Sequence, residues 1–247
     1  MSSDTHHDIA ETVCATDVHA RLEEHLRRWL GAVPVAGRAQ LSITEARDEP
    51  GWDGRVRPIQ GVIGPEGSVI AVSPTYAELF DGVDLDGFVR DLFRADAWQR
   101  ITRTLGVDVG YGMPVFRWSE RPNVHPEIGE WVDPHDPRLP DWLHPFNGGV
   151  LATFTDDDRY RAGVGIKRHN DIGREIAVGT DPAFRRQGLA TKLVAQAARR
   201  IIAEGGVPIY QHGPGTASAI VADHAGFPDR EWSMIEIHPG ITRAIRG

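Results

Sequence analysis

Cysteine is nearly absent from this sequence: Cys14 is the single one among 247 residues. One cysteine cannot form a disulfide within the chain, so we expect an inert or surface thiol at this position. The chain also has no apolar run of membrane length and no early apolar signal segment. These absences exclude a disulfide scaffold and an integral membrane protein, and they favour the cytoplasm.

Basic residues are also fewer than acidic ones. The 27 Lys and Arg residues are outnumbered by 35 Asp and Glu residues, the formal net charge is −8, and no basic tract interrupts this balance. Because phosphate backbones are held mainly by surplus Lys and Arg, general nucleic-acid binding is excluded. A hydrophobic share of 40% and a charged share of 25% are typical of a globular protein.

The two familiar phosphate loops are missing as well. There is no Gly-x-x-x-x-Gly-Lys-Ser/Thr, and no Gly-x-Gly-x-x-Gly lies between a strand and a helix. No set of His, Cys, Asp and Glu has a spacing that demands a shared ion, and the adjacent His6 and His7 are a minor metal candidate. We therefore expect no metal.

The most informative segment is the run Arg185-Arg186-Gln187-Gly188-Leu189-Ala190. It follows a strand-like segment, Glu175 to Thr180, and leads into a helical pattern that Gly205-Gly206 ends. A glycine turn at a helix start exposes unpaired backbone N–H groups, and the helix dipole adds to their attraction for phosphate. The run therefore predicts an anion cradle.

The elements around this run alternate between strands and helices. The predicted strands are Gly149 to Phe154, Tyr160 to Ile166, Val207 to Tyr210 and Trp232 to Ile237. A short helix that opens in the segment 211–218 is expected to reach Ala225 and to end at Gly226-Phe227. Apolar residues of the helix after the cradle share one side, and Lys192, Gln196, Arg199 and Arg200 are expected on the other.

The run fits the pattern Arg/Gln-x-x-Gly-x-Gly/Ala and resembles the pyrophosphate-binding turn of the GNAT superfamily of N-acetyltransferases. The order of elements around it is also similar to the second half of a GNAT domain. The resemblance covers roughly the last half of the chain and implies an α/β GNAT fold, a mixed central sheet flanked by helices, over residues 113–247.

The region before residue 113 is predicted to be a flexible tail (residues 1–14) and an auxiliary α/β lobe (residues 15–112). The lobe's elements are a helix from Val18 to Leu30, a hairpin of Ile59 to Ile63 with Val69 to Val72, and a helix start at Ser73-Pro74. A helical stretch, Asp84 to Thr104, is broken near Asp96.

A short echo links the two halves of the chain. Ile70-Ala71-Val72 followed by Pro74 is similar to Ile176-Ala177-Val178 followed by Pro182, but the first copy lacks the cradle. Chance explains so short a match, and a degenerate repeat is the alternative.

A proline-rich stretch runs from Pro122 to Pro145 and predicts a surface loop with at most a short helix at Asp141 to Leu143. The GNAT resemblance places this region at one wall of the acceptor site, where Trp131, Trp142, His135 and His144 are candidates for substrate contact. Packing of the aromatic rings onto the core and solvent exposure of the histidines are the simpler alternatives.

The resemblance also implies how acetyl-CoA is held. Backbone groups of the segment Val178, Gly179 and Thr180 would pair with the pantetheine arm, and Val178 or a neighbour would donate to the oxyanion. The diphosphate would lie on the turn, whose residues are Arg185, Arg186, Gln187, Gly188, Leu189, Ala190 and Thr191. Ser218 would add a hydroxyl to CoA or to its thiolate, unless it caps a helix.

Three residues are candidates for the base that deprotonates an amine. Glu175 is the first choice, because strand alternation points it away from Ile176 and Val178, although a solvated carboxylate is an equal alternative. Tyr210 and His212 share a face of the next strand, and an imidazole suits proton transfer. The sequence departs from many GNAT enzymes at two positions. Gly215 stands where they have Asn, and Ala222 stands where they have a Tyr that protonates the thiolate of CoA.

The sequence therefore predicts an acetyl-CoA-dependent N-acetyltransferase that acts on a primary amine, of a small molecule rather than a protein. A module that binds acyl-CoA without turnover and an enzyme for longer acyl chains are the alternatives. No nucleic-acid or membrane partner is expected, and a homodimer is left open.

Overall fold

The computed structural model describes residues 4–240, with side chains from residue 17 onward. The helices are α1 (Asp4–Leu30), α2 (Leu85–Leu92), α3 (Ala97–Leu105), α4 (Leu189–Ala203) and α5 (Ser218–Ala225). The strands are β1 (Ala39–Ile43), β2 (Ile59–Ile63), β3 (Ser68–Val72), β4 (Val109–Gly112), β5 (Val115–Trp118), β6 (Glu130–Val132), β7 (Val150–Phe154), β8 (Tyr160–Arg168), β9 (Gly173–Thr180), β10 (Val207–His212) and β11 (Ser233–Pro239). Short 3-10 helices lie at Glu45–Arg47, Pro74–Phe80, Asp141–Leu143 and Pro182–Phe184.

Most predicted elements are confirmed. The break near Asp96 separates α2 from α3, and β2 and β3 form the expected antiparallel hairpin. The segment after Ser73 is a 3-10 turn, Pro74–Phe80, which Ser73 caps by accepting from the N–H of Thr75. Strands β1, β4, β5 and β6 were not predicted, because each is five residues or fewer and depends on pairing with distant segments.

The chain packs as two compact units. The first comprises Met1–His25, Arg117–Gln211 and Gly215–Asp229, and the second comprises Leu26–Phe116, His212–Pro214 and Arg230–Gly247. The functional boundary predicted after residue 112 is not tested by this division and stays a prediction, as does the flexible tail over residues 1–14. Both units are α/β.

The first unit contains a mixed sheet in the order β10-β9-β8-β7-β6. Strands β9 and β10 are parallel, and the other pairs are antiparallel. One face of the sheet is covered by α4, whose apolar side is buried against Ile166 and Ile176. This cluster fixes the direction of α4 relative to β9, and the turn between them therefore has a defined shape.

One residue of α4 lies differently from the prediction. Gln196 is expected on the polar side, but it is 6% exposed. Its Oε1 accepts from the N–H groups of Ile128 (3.2 Å) and Gly129 (3.0 Å), and its Nε2 donates to the carbonyl of Gly129 at 3.0 Å. The amide satisfies the backbone hydrogen-bonding groups of the loop that leads into β6, and a buried polar side chain is tolerated for this reason.

The strands of the second unit also pair in both directions. Strand β3 pairs with β1 in parallel and with β2 antiparallel, and β2 pairs with β11. Strands β4 and β5 also pair with β11. Its core joins this sheet to α2 and α3 through residues such as Ile70, Phe88 and Ile101.

Candidate functional site

The turn between β9 and α4 forms a concave backbone surface. Asp181 opens it by accepting from the N–H of Ala183 at 2.8 Å, which caps the turn Pro182–Phe184. Arg186 (φ 62°) and Gly188 (φ 72°) both adopt the left-handed region. Left-handed residues of this kind occur in the concave anion-binding nests of other loops, where successive backbone N–H groups point to one side.

The start of α4 leaves backbone donors without intrahelical partners. The first intrahelical bond runs from the N–H of Lys192 to the carbonyl of Gly188 at 3.2 Å, so the N–H groups of Leu189, Ala190 and Thr191 precede it. Gly188 is the N-cap residue and has no side chain to cap them. A Cβ at Gly188 would meet no atom within 4 Å, so the space beside this residue is open.

Arginines surround this cradle. Arg185, Arg186 and Gln187 are exposed on the turn, and Arg161 of β8 donates to Oε1 of Gln187 at 3.0 Å. The guanidinium groups of Arg159 and Arg161 lie 5.1 and 5.3 Å from the ring centre of Phe184. Arg159 and Arg161 were not predicted, since Arg161 lies in β8 and Arg159 just before it, and only pairing of β8 with β9 brings them to the turn.

A cleft of about 430 Å³ opens beside the cradle. Gly188, Thr191 and Lys192 of α4 form one wall, and the opposite wall is formed by Asn123, His125, Asp223 and His224. Nδ2 of Asn123 and Nε2 of His125 lie 3.0 and 2.9 Å from the carbonyl oxygen of His224, which fixes that wall. No sequence signal marks these four residues, because they are distant in the chain from the glycine turn.

Strands β9 and β10 separate close to the cradle. Their pairing begins at Gly173 and Val207 and ends at Ile176 and Tyr210. Beyond that point, β9 continues for four residues that pair with β8 alone among the strands described. Val178 and Thr180, predicted to bind pantetheine, therefore lie on a stretch of strand with one edge not taken by β10.

Two predicted site residues meet where the pairing ends. The hydroxyl of Tyr210 lies 2.9 Å from Oγ of Ser218. Burial raises the pKa of Tyr210, although the hydrogen bond from Ser218 and the charge of Arg117 oppose this, so the phenol is neutral at physiological pH. Ser218 is the first residue of α5, and the N-cap position is Ala217, so the serine does not cap the helix.

Glu175 is buried and ion-paired. Its Oε2 lies 2.9 Å from Nε2 of His169, and its Oε1 accepts from Nζ of Lys167. Burial alone would raise the pKa of this carboxyl, but the hydrogen bond from His169 and the charge of Lys167 lower it to about 2. The carboxylate is therefore ionised but a weak base, poorly matched to proton abstraction near neutral pH.

His212 is two residues beyond the last paired residue of β10 and is 7% exposed. Its Nδ1 lies 2.9 Å from the carbonyl oxygen of Gly213, a geometry in which Nδ1 donates. Nε2 is then the ring nitrogen that remains a candidate for proton transfer.

The proline-rich loop packs on the face of β8 and β9 opposite α4. A Cβ at Gly163, Gly165 or Gly179 would come within 2.8, 2.2 and 2.6 Å of Leu143, Phe146 and Trp142, respectively. The hydroxyl of Tyr160 donates to the carbonyl of Gly179 at 3.1 Å and is also hydrogen-bonded to Trp142. Trp142 is still 39% exposed, so part of the indole is open beside the end of β9.

The other loop candidates have structural partners. Trp131 lies under the guanidinium of Arg200, 4.0 Å from its ring centre. His135 and His144 are stacked with ring centres 6.3 Å apart, and Nδ1 of His144 contacts the carbonyl of Pro134. Among the residues whose side chains are described, no group of three or more His, Cys, Asp or Glu is placed to hold a metal ion.

Comparison with known proteins agrees with this geometry. Residues 114–214 match the model of the Acetyltransferase (GNAT) family. A mycothiol acetyltransferase of Clavibacter sepedonicus is 31% identical, over 44% of this chain and 39% of that protein. This chain thus matches about two-fifths of the length of that curated relative.

Solved structures of two GNAT-family proteins are also similar. One, from Novosphingobium aromaticivorans, is 22% identical with a TM-score of 0.42, over 52% of this chain and 64% of that one. The other, from Colwellia psychrerythraea, is 12% identical with a TM-score of 0.42, over 57% of this chain and 61% of that one. At these TM-scores the likeness carries no argument, and the similarity to the GNAT family rests on the match over residues 114–214.

Proposed function

We propose that this chain, whose residues 114–214 are a GNAT-family segment, transfers the acetyl group of acetyl-CoA to a primary amine of a small molecule in the cytoplasm. The observation that carries the proposal is the cradle, where three N–H groups precede the first intrahelical bond of α4 and a Cβ at Gly188 would meet no atom within 4 Å. Such donors at the positive end of a helix dipole suit a diphosphate.

The residues present fit acetyl-CoA along its length. The diphosphate binds the N–H groups of Leu189, Ala190 and Thr191, with Arg185 and Arg186 adding positive charge. The pantetheine arm lies along the edge of β9 that β10 leaves at Ile176, where Val178 and Thr180 supply backbone groups. The nucleotide end occupies the cleft of about 430 Å³, where Lys192 lies.

The reaction needs a free amine. An alkylamine with a pKa of about 10.4 is protonated at neutral pH and then has no lone pair for attack. Of the three candidates, we propose His212 as the proton acceptor, because its Nδ1 contacts the carbonyl of Gly213 and Nε2 remains for proton transfer. Glu175 is ionised but paired with Lys167 and His169, and it serves as the competing candidate. The backbone N–H of Val178 donates to the tetrahedral oxyanion.

The acceptor lies against Trp142 in this proposal. Its indole is held by Tyr160, Phe146 and Gly179 and leaves 39% of its surface exposed. An aromatic face attracts an alkylammonium before deprotonation, and it also suits an apolar or aromatic portion of the acceptor.

The test is release of CoA from acetyl-CoA in the presence of a panel of small primary amines, with acetylated products identified by mass spectrometry. Matched secondary amines and alcohols are the controls. We expect CoA release that depends on a primary amine and an N-acetyl product. CoA binding without release for any amine would favour a non-catalytic acyl-CoA module, and release only from longer acyl-CoA donors would favour the other alternative.

A further inference from the structure

Arg161 of β8 contacts the turn between β9 and α4 at its start, its middle and its end. Its carbonyl oxygen accepts from the N–H of Asp181 at 2.9 Å, where the turn begins. Its guanidinium lies 5.3 Å from the ring centre of Phe184, in the middle of the turn. Its Nη2 donates to Oε1 of Gln187 at 3.0 Å, directly before Gly188. A single residue of the neighbouring strand thus connects the whole length of the turn to the sheet.

The contact with Gln187 lies at the most constrained part of the turn. Gln187 stands between Arg186 (φ 62°) and Gly188 (φ 72°), which both adopt the left-handed region. Glycine adopts this region readily, but an arginine stays there only when the surrounding structure holds it. The conformation of Arg186 therefore requires contacts from its neighbours, and the hydrogen bond from Arg161 to Gln187 is one of them.

Phe184 gives the guanidinium of Arg161 a fixed support. The ring packs against the core beneath α4, and the guanidinium groups of Arg159 and Arg161 lie 5.1 and 5.3 Å from its centre. A planar guanidinium can lie on an aromatic ring and still donate from its edge, whereas a lysine ammonium has neither the flat face nor the fork of donors. An arginine at this position therefore contacts the ring and the amide of Gln187 together.

We propose that Arg161 is a positioning residue for CoA, which holds the turn in its diphosphate-binding shape without itself contacting the phosphates. The N–H groups of Leu189, Ala190 and Thr191 follow directly on the turn, so a change in its shape would displace these donors. A loop that is ordered before the ligand arrives also loses less conformational entropy on binding. This inference rests on the proposed acetyltransferase function.

Calorimetric titration of the full chain with CoA tests this role. Arg161→Met keeps an unbranched side chain against Phe184 but removes the donor, and Arg161→Lys keeps the charge without the planar fork. We expect both variants to bind CoA about 3- to 10-fold more weakly than wild type, the scale of one partly exposed hydrogen bond. Wild-type affinity in Arg161→Lys would overturn the proposal, because the charge alone would then explain the contribution of Arg161.

A double variant separates positioning from direct contact with CoA. If Arg161 acts through Gln187, adding Arg161→Met to Gln187→Ala should cause little further loss of CoA affinity, whereas losses that multiply would overturn the positioning role. In steady-state kinetics, Arg161→Met should raise the KM for acetyl-CoA and leave kcat and the KM for the amine unchanged. A fall in kcat together with a rise in both KM values would make Arg161 a general structural residue and would also overturn the proposal.

Arg168 provides a matched control on the same strand. It is exposed at the far end of β8 from Arg161, so Arg168→Met and Arg168→Lys repeat the same changes away from the turn and should leave CoA affinity unchanged. Equal weakening at both positions would indicate a general charge effect and would contradict the proposal. A wild-type protein that binds no CoA would contradict the acetyltransferase function, whereas wild-type binding with unaffected Arg161 variants contradicts this inference alone.

Discussion

Replacement of Gly188 gives the most direct test of the cradle. Gly188 has φ 72°, and a Cβ there would contact nothing within 4 Å. The left-handed backbone costs a non-glycine residue about 1–2 kcal/mol, so Gly188→Ala and Gly188→Glu should lose this much stability without a steric clash. For a chain of this size that loss lowers Tm by about 2–8 °C.

We expect Gly188→Glu to weaken CoA binding much more than Gly188→Ala does. Three N–H groups precede the first intrahelical bond of α4, and a hydrogen bond to a charged group contributes about 1.5–3 kcal/mol. A carboxylate above the turn competes for these donors and repels the diphosphate. Loss of one to two such bonds, about 3 kcal/mol, weakens CoA binding at least about 100-fold.

Gly205 provides a matched control at the opposite end of the same helix. It has φ 79°, and a Cβ there would also meet no atom within 4 Å, so Gly205→Ala and Gly205→Glu carry the same backbone strain. Calorimetric titration with CoA and thermal unfolding should be run on all four variants. A folded Gly188→Glu protein whose Kd stays within about threefold of the Gly205→Glu value would refute the cradle.

Three further predictions concern the rest of the site. The pKa of Glu175 is lowered from 4.5 to about 2 in the folded state, which adds about 3 kcal/mol to the free energy of unfolding. This contribution is fully present above pH 4.5 and is lost as the pH falls toward 2. The difference in unfolding free energy between wild type and Glu175→Gln should therefore close over that range, and a difference independent of pH would contradict the pairing with Lys167 and His169. His212→Gln should lower turnover by about 100-fold, whereas Glu175→Gln should leave turnover within a fewfold of wild type. The reverse result would make Glu175 the base. Trp142→Ala should raise KM for the amine by about 10-fold while CoA affinity is unchanged, and equal losses for both substrates would argue against an acceptor role.

The strand, turn and helix that form the proposed cradle could be predicted from sequence because their determinants are local. A strand, a glycine turn and an amphipathic helix follow one another over residues 175–205, and the structure confirms each of these elements. The ion pairs of Glu175 could not be predicted in the same way. Lys167 faces Glu175 only because β8 and β9 pair in a particular register, and His169 reaches the carboxylate from the turn between them.

The local echo between the two halves extends to backbone structure. Each copy is the second strand of an antiparallel hairpin and runs into a proline-led 3-10 turn. The side chains of Ser73 and Asp181 cap these turns by accepting from the residue two positions on. The left-handed pair of the cradle follows the second turn only, and a degenerate repeat stays a prediction.

The two faces of strand β9 pack against different parts of the first unit. Ile176 and Val178 contact the core beneath α4, and any change in them would disturb the cradle. Gly179, on the other face, offers a gap that the indole of Trp142 fills. A loop with different large side chains, provided they fit the same gaps at Gly163, Gly165 and Gly179, could therefore replace the present one without changing any residue of the turn between β9 and α4. Under the proposed function, the acceptor could then change in evolution while the residues proposed to bind CoA stay the same.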